Sequence, residues 1–452
     1  MRTISTFIIF LLFSASLFAQ NKINGSISNY NNSIIFLTDF YGDDHHIVDS
    51  TRTDSKGVFL FTIKENLPKG LYRLYFGQSK FFDLILNHQD VELSTTLFSP
   101  KENIKIIESE ENRLLYQYLR DKEEFQLKSE LVKTILEYYP PNDNYYNESL
   151  NQFVELNNDF VNMAIKEVAG FKKLFVYQYI HSDLIPLIKY SPTYEEINKQ
   201  FKESFLDNIN FSDINLLHSN IFSSKTIQYL ELYKTDGISD IQLENNYKIA
   251  IDSLLTKSKK TPRVYNYILS FLFNGFEQNN YDELIRYLAS NYKPIDIDNS
   301  SNYNTLSEKI STINQLQPGN LAPEFKADDI NGKEITLYKV KSKYTLLVFW
   351  SADCPSCQKV LPIIRQDIYN KYKSNKISII GISTDDNKNL ALQEIKENNY
   401  SWTNIVTGNG LDDNIIRRYN INSTPIIYLL DKKKRILSQI NSINEIQIYL
   451  NQ

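Results

Sequence analysis

Residues Tyr344-Thr345-Leu346-Leu347-Val348-Phe349-Trp350-Ser351-Ala352-Asp353-Cys354-Pro355-Ser356-Cys357 run from a continuous apolar segment straight into two cysteines. Tyr344–Phe349 reads as a strand buried on both faces, and the spacing from Cys357 to Tyr372 predicts a helix. A C-x-x-C pair that follows a buried strand and opens a helix is the context of redox chemistry. The helix start presents unpaired N–H groups and a partial positive charge, and both favour a thiolate at the first cysteine. Pro355 suits the first turn, where its missing N–H would have no partner. The three-residue offset returns the second sulfur to the first, so Cys354 should attack and Cys357 should resolve the mixed disulfide. Asp353, Pro355 and Ser356 are the candidates for tuning that thiolate; a carboxylate at Asp353 would oppose the helix dipole.

Two other uses of the pair stay open at this point. A metal site needs about four ligands. These are the only cysteines, and His45, His46, His88, His181 and His218 all precede this region, so no metal is expected here. A static disulfide across so short a step would contribute little stability.

Outward from the motif, Ile377–Ser383 and Ile426–Leu430 read as further strands, with Arg435–Ile440 as an edge strand. Helical patterns at Lys388–Asn398 and Leu411–Tyr419 lie between them, so the region reads as an α/β layer structure. Asn331-Gly332 sits between Glu324–Ala327 and Glu334–Leu337 as a hairpin turn would.

From about Pro318 to the C-terminus the chain resembles the TlpA-like thioredoxin-fold reductases of bacterial envelopes. The resemblance rests on Gly319-x-x-Ala322-Pro323-x-Phe325, the Phe349-Trp350 pair before Cys354-x-x-Cys357, Pro362 five residues after the second cysteine, and Thr424-Pro425 ahead of a strand. It implies a thiol–disulfide oxidoreductase that needs no cofactor. Pro425 would be a cis-proline facing the disulfide, and Thr424 and Trp350 would help dock the substrate. The implied partners are proteins carrying disulfides or dithiols and an envelope electron donor. Three departures stand out. Asp353 occupies a position where many relatives have Trp, and Val348 and Val360 occupy two positions where relatives carry a buried acid. Peroxide-reducing proteins share this fold, but their Pro and Thr ahead of the cysteine are here Leu347 and Ser351. A thiol peroxidase is therefore an alternative, as is a binding or scaffold protein with a vestigial redox domain.

Towards the N-terminus, residues 21–102 read as a small antiparallel β-sandwich. Short runs at Ser33–Phe40, His45–Thr51, Gly57–Ile63, Gly70–Phe76, Phe81–Asn87 and Val91–Leu97 are separated by turn signals. Residues 103–312 read as an α-helical domain or linker, with apolar spacing in Glu108–Phe125, Glu148–Ala169, Phe171–Ser182, Thr193–Leu206, Asn245–Lys259, Arg263–Phe276 and Tyr281–Tyr292. Thr193-Tyr194-Glu195-Glu196 fits a capping box, and Pro262 separates two helices. The redox domain occupies 316–452, so the chain is expected to be multidomain.

Residues 1–20 read as an export signal: Arg2, then the apolar run Phe7–Leu17, then a cleavage position near Ala19. The run is short for a membrane span. The expectation is an exported, periplasmic protein with no span in the mature chain; an uncleaved N-terminal anchor is the alternative. A net charge of −5 argues against nucleic-acid binding. Four weaker signals remain. Asp43-Asp44-His45-His46 is read as a turn rather than a metal site, and Asp296-Ile297-Asp298-Asn299-Ser300 as a linker. Asp385-Asp386 is read as a helix cap, and Trp402 either lines the approach to the cysteines or belongs to the core.

Overall fold

The structure is a computed structural model and describes residues 21–235, 237–297, 301–372, 376–440 and 442–451. The export reading of Arg2, Phe7–Leu17 and Ala19, and the Asp298–Ser300 part of the linker reading, lie outside those residues. The chain divides into two compact units, the first ending at Phe271 and the second running from Leu272 to Gln452.

The first unit begins with strands β1 (Lys22–Ser28), β2 (Ile34–Asp39), β3 (Ile47–Arg52), β4 (Val58–Thr62), β5 (Gly70–Phe76), β6 (Lys80–Leu86), β7 (Val91–Thr96) and β8 (Lys105–Glu108). They form two four-stranded sheets, ordered β4-β1-β7-β8 and β3-β2-β5-β6. Ile23, Phe59 and Leu93 from one sheet and Leu37, Leu74 and Phe82 from the other share one buried core, so the expected sandwich forms. It is not purely antiparallel, because β1 pairs with β7 in parallel. Strand β1 is not among the runs read from the sequence. Gly25 is there for space: a Cβ at this position would lie 2.3 Å from Cζ of Phe59.

Helices α1 (Glu110–Tyr138), α2 (Asn144–Val168), α3 (Phe175–Asp183), α4 (Tyr194–Ser204), α5 (Ile221–Glu231) and α6 (Asp240–Ser258) follow. Among them α1, α2 and α4 share a buried core at Leu136, Leu150, Phe153 and Ile197. Thr193 caps α4 by accepting from the N–H of Glu196 at 3.2 Å, and a full reciprocal box forms at Ser239 and Gln242. Asn112 ties α1 to the sandwich, accepting from the N–H of Ile85 and donating to its carbonyl, both at 2.8 Å. The unit boundary falls within α7 (Pro262–Gln278).

In the second unit, α8 (Asp282–Asn291) and α9 (Ser301–Gln315) precede a hairpin of β9 (Lys326–Asp328) and β10 (Glu334–Thr336). Then come β11 (Tyr344–Trp350), α10 (Pro355–Ile363), a π-helical stretch Ile364–Tyr369, α11 (Asn370–Tyr372), β12 (Ile377–Ser383), α12 (Lys388–Glu397), β13 (Thr403–Ile405), α13 (Asn414–Arg418), β14 (Ile426–Leu430), β15 (Ile436–Gln439) and α14 (Ile443–Leu450). Five strands form one sheet in the order β13-β12-β11-β14-β15. β11 runs parallel to β12 and antiparallel to β14. Every residue of β11 is buried, as its unbroken apolar run requires of a central strand with a core on each face. The single helix expected over Cys357–Tyr372 is interrupted. Pro362 removes an N–H from its interior, and the turns that follow widen to π geometry.

Candidate redox site

β11 ends at Trp350, and its parallel register sets Trp350 beside Ser383 at the end of β12. Chain ends that meet this way bring Ser351-Ala352 next to Asp385. The Asp385 carboxylate accepts from Ser351 Oγ at 2.6 Å, from the N–H of Ala352 at 3.0 Å and from Ser383 Oγ at 2.7 Å. It is therefore an anchor of the loop that carries the cysteines, not the helix cap expected from sequence. That cap is Asn387, which accepts from the N–H of Asn389 at 3.0 Å. Gln358 fastens the same loop from the helix side, donating to the carbonyl of Ala352 at 2.8 Å.

Cys354 and Cys357 form a disulfide, with their Cα atoms 5.2 Å apart. Cys354 is the N-cap of α10 and Pro355 fills the first turn. The N–H of Cys357 points at Cys354 Sγ at 3.1 Å. That N–H is one of the orphan donors of a helix start, and it favours negative charge on the Cys354 sulfur once the disulfide is reduced. Burial divides the roles: Cys357 is wholly buried, whereas Cys354 keeps a partly open face. An incoming sulfur therefore meets Cys354.

Thr424-Pro425 is a cis peptide, and the carbonyl oxygen of Thr424 lies 3.2 Å from Cys354 Sγ. The Thr424 carbonyl thus stands at the sulfur, with Pro425 next to it in the chain. Trp350 does not. Only 1% of its surface is exposed and it packs in the core, with its ring 6.4 Å from that of Tyr400, so it supports the site from behind and is closed to a docking substrate. The apolar run of β11 simply continues through it. Trp402 is also core, stacked on Tyr400 at 4.8 Å. Asp353, Pro355 and Ser356 are exposed at the mouth of the site, so any charge effect of Asp353 is screened by water. Val348 is fully buried and Val360 packs against the same core, so both side chains give the site an apolar lining.

Asp43 and His46 in the earlier turn have other partners: Tyr267 donates to Asp43 at 2.8 Å, and the N–H of His46 donates to Asp39 at 3.1 Å. Among the described residues, no group of three or more His, Cys, Asp or Glu side chains is arranged to hold a metal.

Residues 318–439 match the AhpC/TSA family. The chain is 28% identical over 126 residues to the thiol-disulfide oxidoreductase ResA of Bacillus thuringiensis, a stretch that covers 28% of this chain and 70% of that protein. The ResA of Bacillus anthracis is 29% identical over the same length, with the same shares of both chains. A chloroplastic peroxiredoxin Q from Suaeda salsa is 37% identical over 81 residues, covering 18% of this chain and 37% of that one. Among solved structures, the thioredoxin domain of a thiol-disulfide oxidoreductase from Bacteroides vulgatus is 27% identical and covers 30% of this chain and 99% of its own, with a TM-score of 0.28. A thioredoxin-like protein from Bacteroides caccae is 19% identical and covers 59% of this chain and 96% of its own, with a TM-score of 0.37.

Proposed function

We propose that this chain, whose C-terminal domain is a thioredoxin-fold thiol–disulfide oxidoreductase, reduces disulfides of proteins outside the cytoplasm. The observation that carries the reading is the division of labour between the sulfurs: Cys354 is partly open beside Thr424-Pro425, and Cys357 is buried behind it. In the reduced protein the Cys354 thiolate attacks one sulfur of a client disulfide. A mixed disulfide forms and the client's other sulfur leaves as a thiolate, which takes up a proton. Cys357 then gives up its proton and attacks Cys354 Sγ, expelling the client's first sulfur as its second thiol. Two electrons have passed to the client and Cys354–Cys357 is again a disulfide, to be reduced by an envelope dithiol donor. Export is supported by Arg2, the apolar Phe7–Leu17 run and Ala19. Among the described residues, no helix is long and apolar enough to cross a membrane.

With dithiothreitol as the electron source, the wild-type chain should turn over insulin disulfides, and Cys354→Ser should lose essentially all of that activity. Cys357→Ser should instead accumulate mixed disulfides with its clients, since the resolving sulfur is gone. Unchanged insulin turnover by Cys354→Ser would end this reading. The likeness to a peroxiredoxin favours one rival, peroxide reduction, and hydrogen peroxide consumption by the same variants separates the two.

A further inference from the structure

The loop that faces the disulfide is held from outside the sheet. Its N–H of Ile421 is bonded to the carbonyl of Ile416 at 3.1 Å, and the β14 ladder starts at Ile426. Between those points Asn422 reaches out of the loop and donates from Nδ2 to Oε1 of Glu277 at 2.8 Å. Glu277 belongs to the last turn of α7. Its other oxygen is held by Lys309 of α9, whose Nζ lies 2.8 Å from Oε2. Glu277 and Lys309 keep 28% and 21% side-chain exposure, so their ion pair is half-buried, whereas Asn422 is exposed and meets the carboxylate at the surface. Glu277, Asn422 and Ser423 line one cleft of about 410 Å³.

We propose that Glu277 is a positioning residue for client docking: braced by Lys309, it fixes Asn422 and with it the segment that ends in the Thr424 carbonyl. Any sulfur that bonds to Cys354 must approach that carbonyl, because it lies 3.2 Å from Cys354 Sγ. A polypeptide carrying the sulfur runs over the loop, whereas a small disulfide touches little beyond the sulfurs. Glu277 therefore matters to a protein substrate more than to a small one. This rests on the reductase reading above.

The experiment uses the full chain with dithiothreitol, insulin and a small aromatic disulfide. Glu277→Ala should raise KM for insulin on the order of five- to tenfold, the worth of a hydrogen bond to a charged group, while kcat moves by less than about twofold. The penalty on insulin should clearly exceed that on the small disulfide. Asn422→Ala should act alike, and the double variant should be no worse than either single one. Glu277→Gln keeps an oxygen for Asn422 and should restore most of the loss. An unchanged KM for insulin in Glu277→Ala, equal losses on both substrates, or a glutamine variant as poor as the alanine variant each overturn the proposal. Wild-type protein that reduces neither substrate would defeat the reductase reading itself, a result distinct from these.

Discussion

Two aspartates, one in each unit, are almost equally buried: Asp183 is 6% exposed and Asp385 7%. Their donors differ completely. Asp183 accepts from Lys122 and, at 2.8 Å, from the hydroxyl of Tyr118, while the ammonium of buried Lys225 sits on the Asp183 carbonyl and 3.9 Å from its carboxylate. The two cations and the Tyr118 hydrogen bond together hold its carboxyl below the usual range against the opposing effect of burial. Asp385 accepts only neutral donors, two serine hydroxyls and a backbone N–H, all from the ends of β11 and β12 or the loop between β11 and α10. A carboxylate compensated by ammonium groups fastens helices together. One compensated by the dipoles of a single loop fixes the shape of that loop, and here the loop leads to Cys354.

The contrast predicts its largest effect in the helical region. Asp183→Ala leaves Lys225 buried against a lone carbonyl, and breaking a buried pair by removing one partner costs about 3–5 kcal/mol. Urea unfolding followed by circular dichroism should show a loss of that size, with the Cys354–Cys357 reduction potential unmoved. A stability close to wild type would mean that Asp183 is no keystone and that the two aspartates differ less than their donors suggest.

At the redox loop the effect should be smaller in stability and larger in chemistry. Asp385→Ala leaves two hydroxyls and an N–H without their acceptor, which costs about 1–3 kcal/mol and loosens the turn before Cys354. Turnover of both large and small disulfides should fall roughly tenfold, because misplacing the attacking sulfur penalises every substrate. Asp385→Asn keeps an acceptor for Ser351 and Ala352 and should recover most of the rate. Removing the negative charge behind the loop also eases formation of the Cys354 thiolate, so the reduction potential should rise on the order of 10–30 mV. Full turnover by Asp385→Ala would remove this residue from the redox machinery.

These aspartates also mark where the sequence stops being legible. The cysteine pair, the helix start and the two-faced strand announce themselves within one local stretch, because propensity and capping act over a few residues. Asp385 stands 31 residues after Cys354 in sequence, behind a strand and ahead of a helix, where an acid ordinarily reads as a cap. Only the β11–β12 register, with Trp350 against Ser383, reveals its partners. The same limit hid Glu277, whose bond to Asn422 joins positions 145 residues apart. Trp350 failed in the opposite way: the resemblance offered it to the substrate, while the unbroken apolar run of β11 was already burying it. Strand β1 was missed as well, and the reason for its Gly25, space beside Phe59, shows only once the two strands are paired.

The smallest effect that tests the comparison is a pH slope. Burial lowers Lys225 to about 8, with Asp183 pulling the other way, while in the unfolded chain a lysine returns to about 10.4. Between those values the unfolded chain binds more protons than the folded one, so this lysine makes the fold more stable as pH rises from about 8. Below that range the folded state carries the full penalty of the buried ammonium. Buried Tyr118 and Tyr179, raised by desolvation and by the Asp183 charge, work the opposite way once tyrosines ionise in the unfolded chain. The clean window therefore closes near pH 9.5, and the gain within it is about 1–2 kcal/mol. Lys225→Met has no proton to lose and should flatten the slope measured by urea unfolding between pH 8 and 9.5. Lys434 in the second unit is also lowered by burial, so a slope that survives in Lys225→Met would assign the effect to the redox unit and leave the Asp183 centre without the strained cation claimed for it.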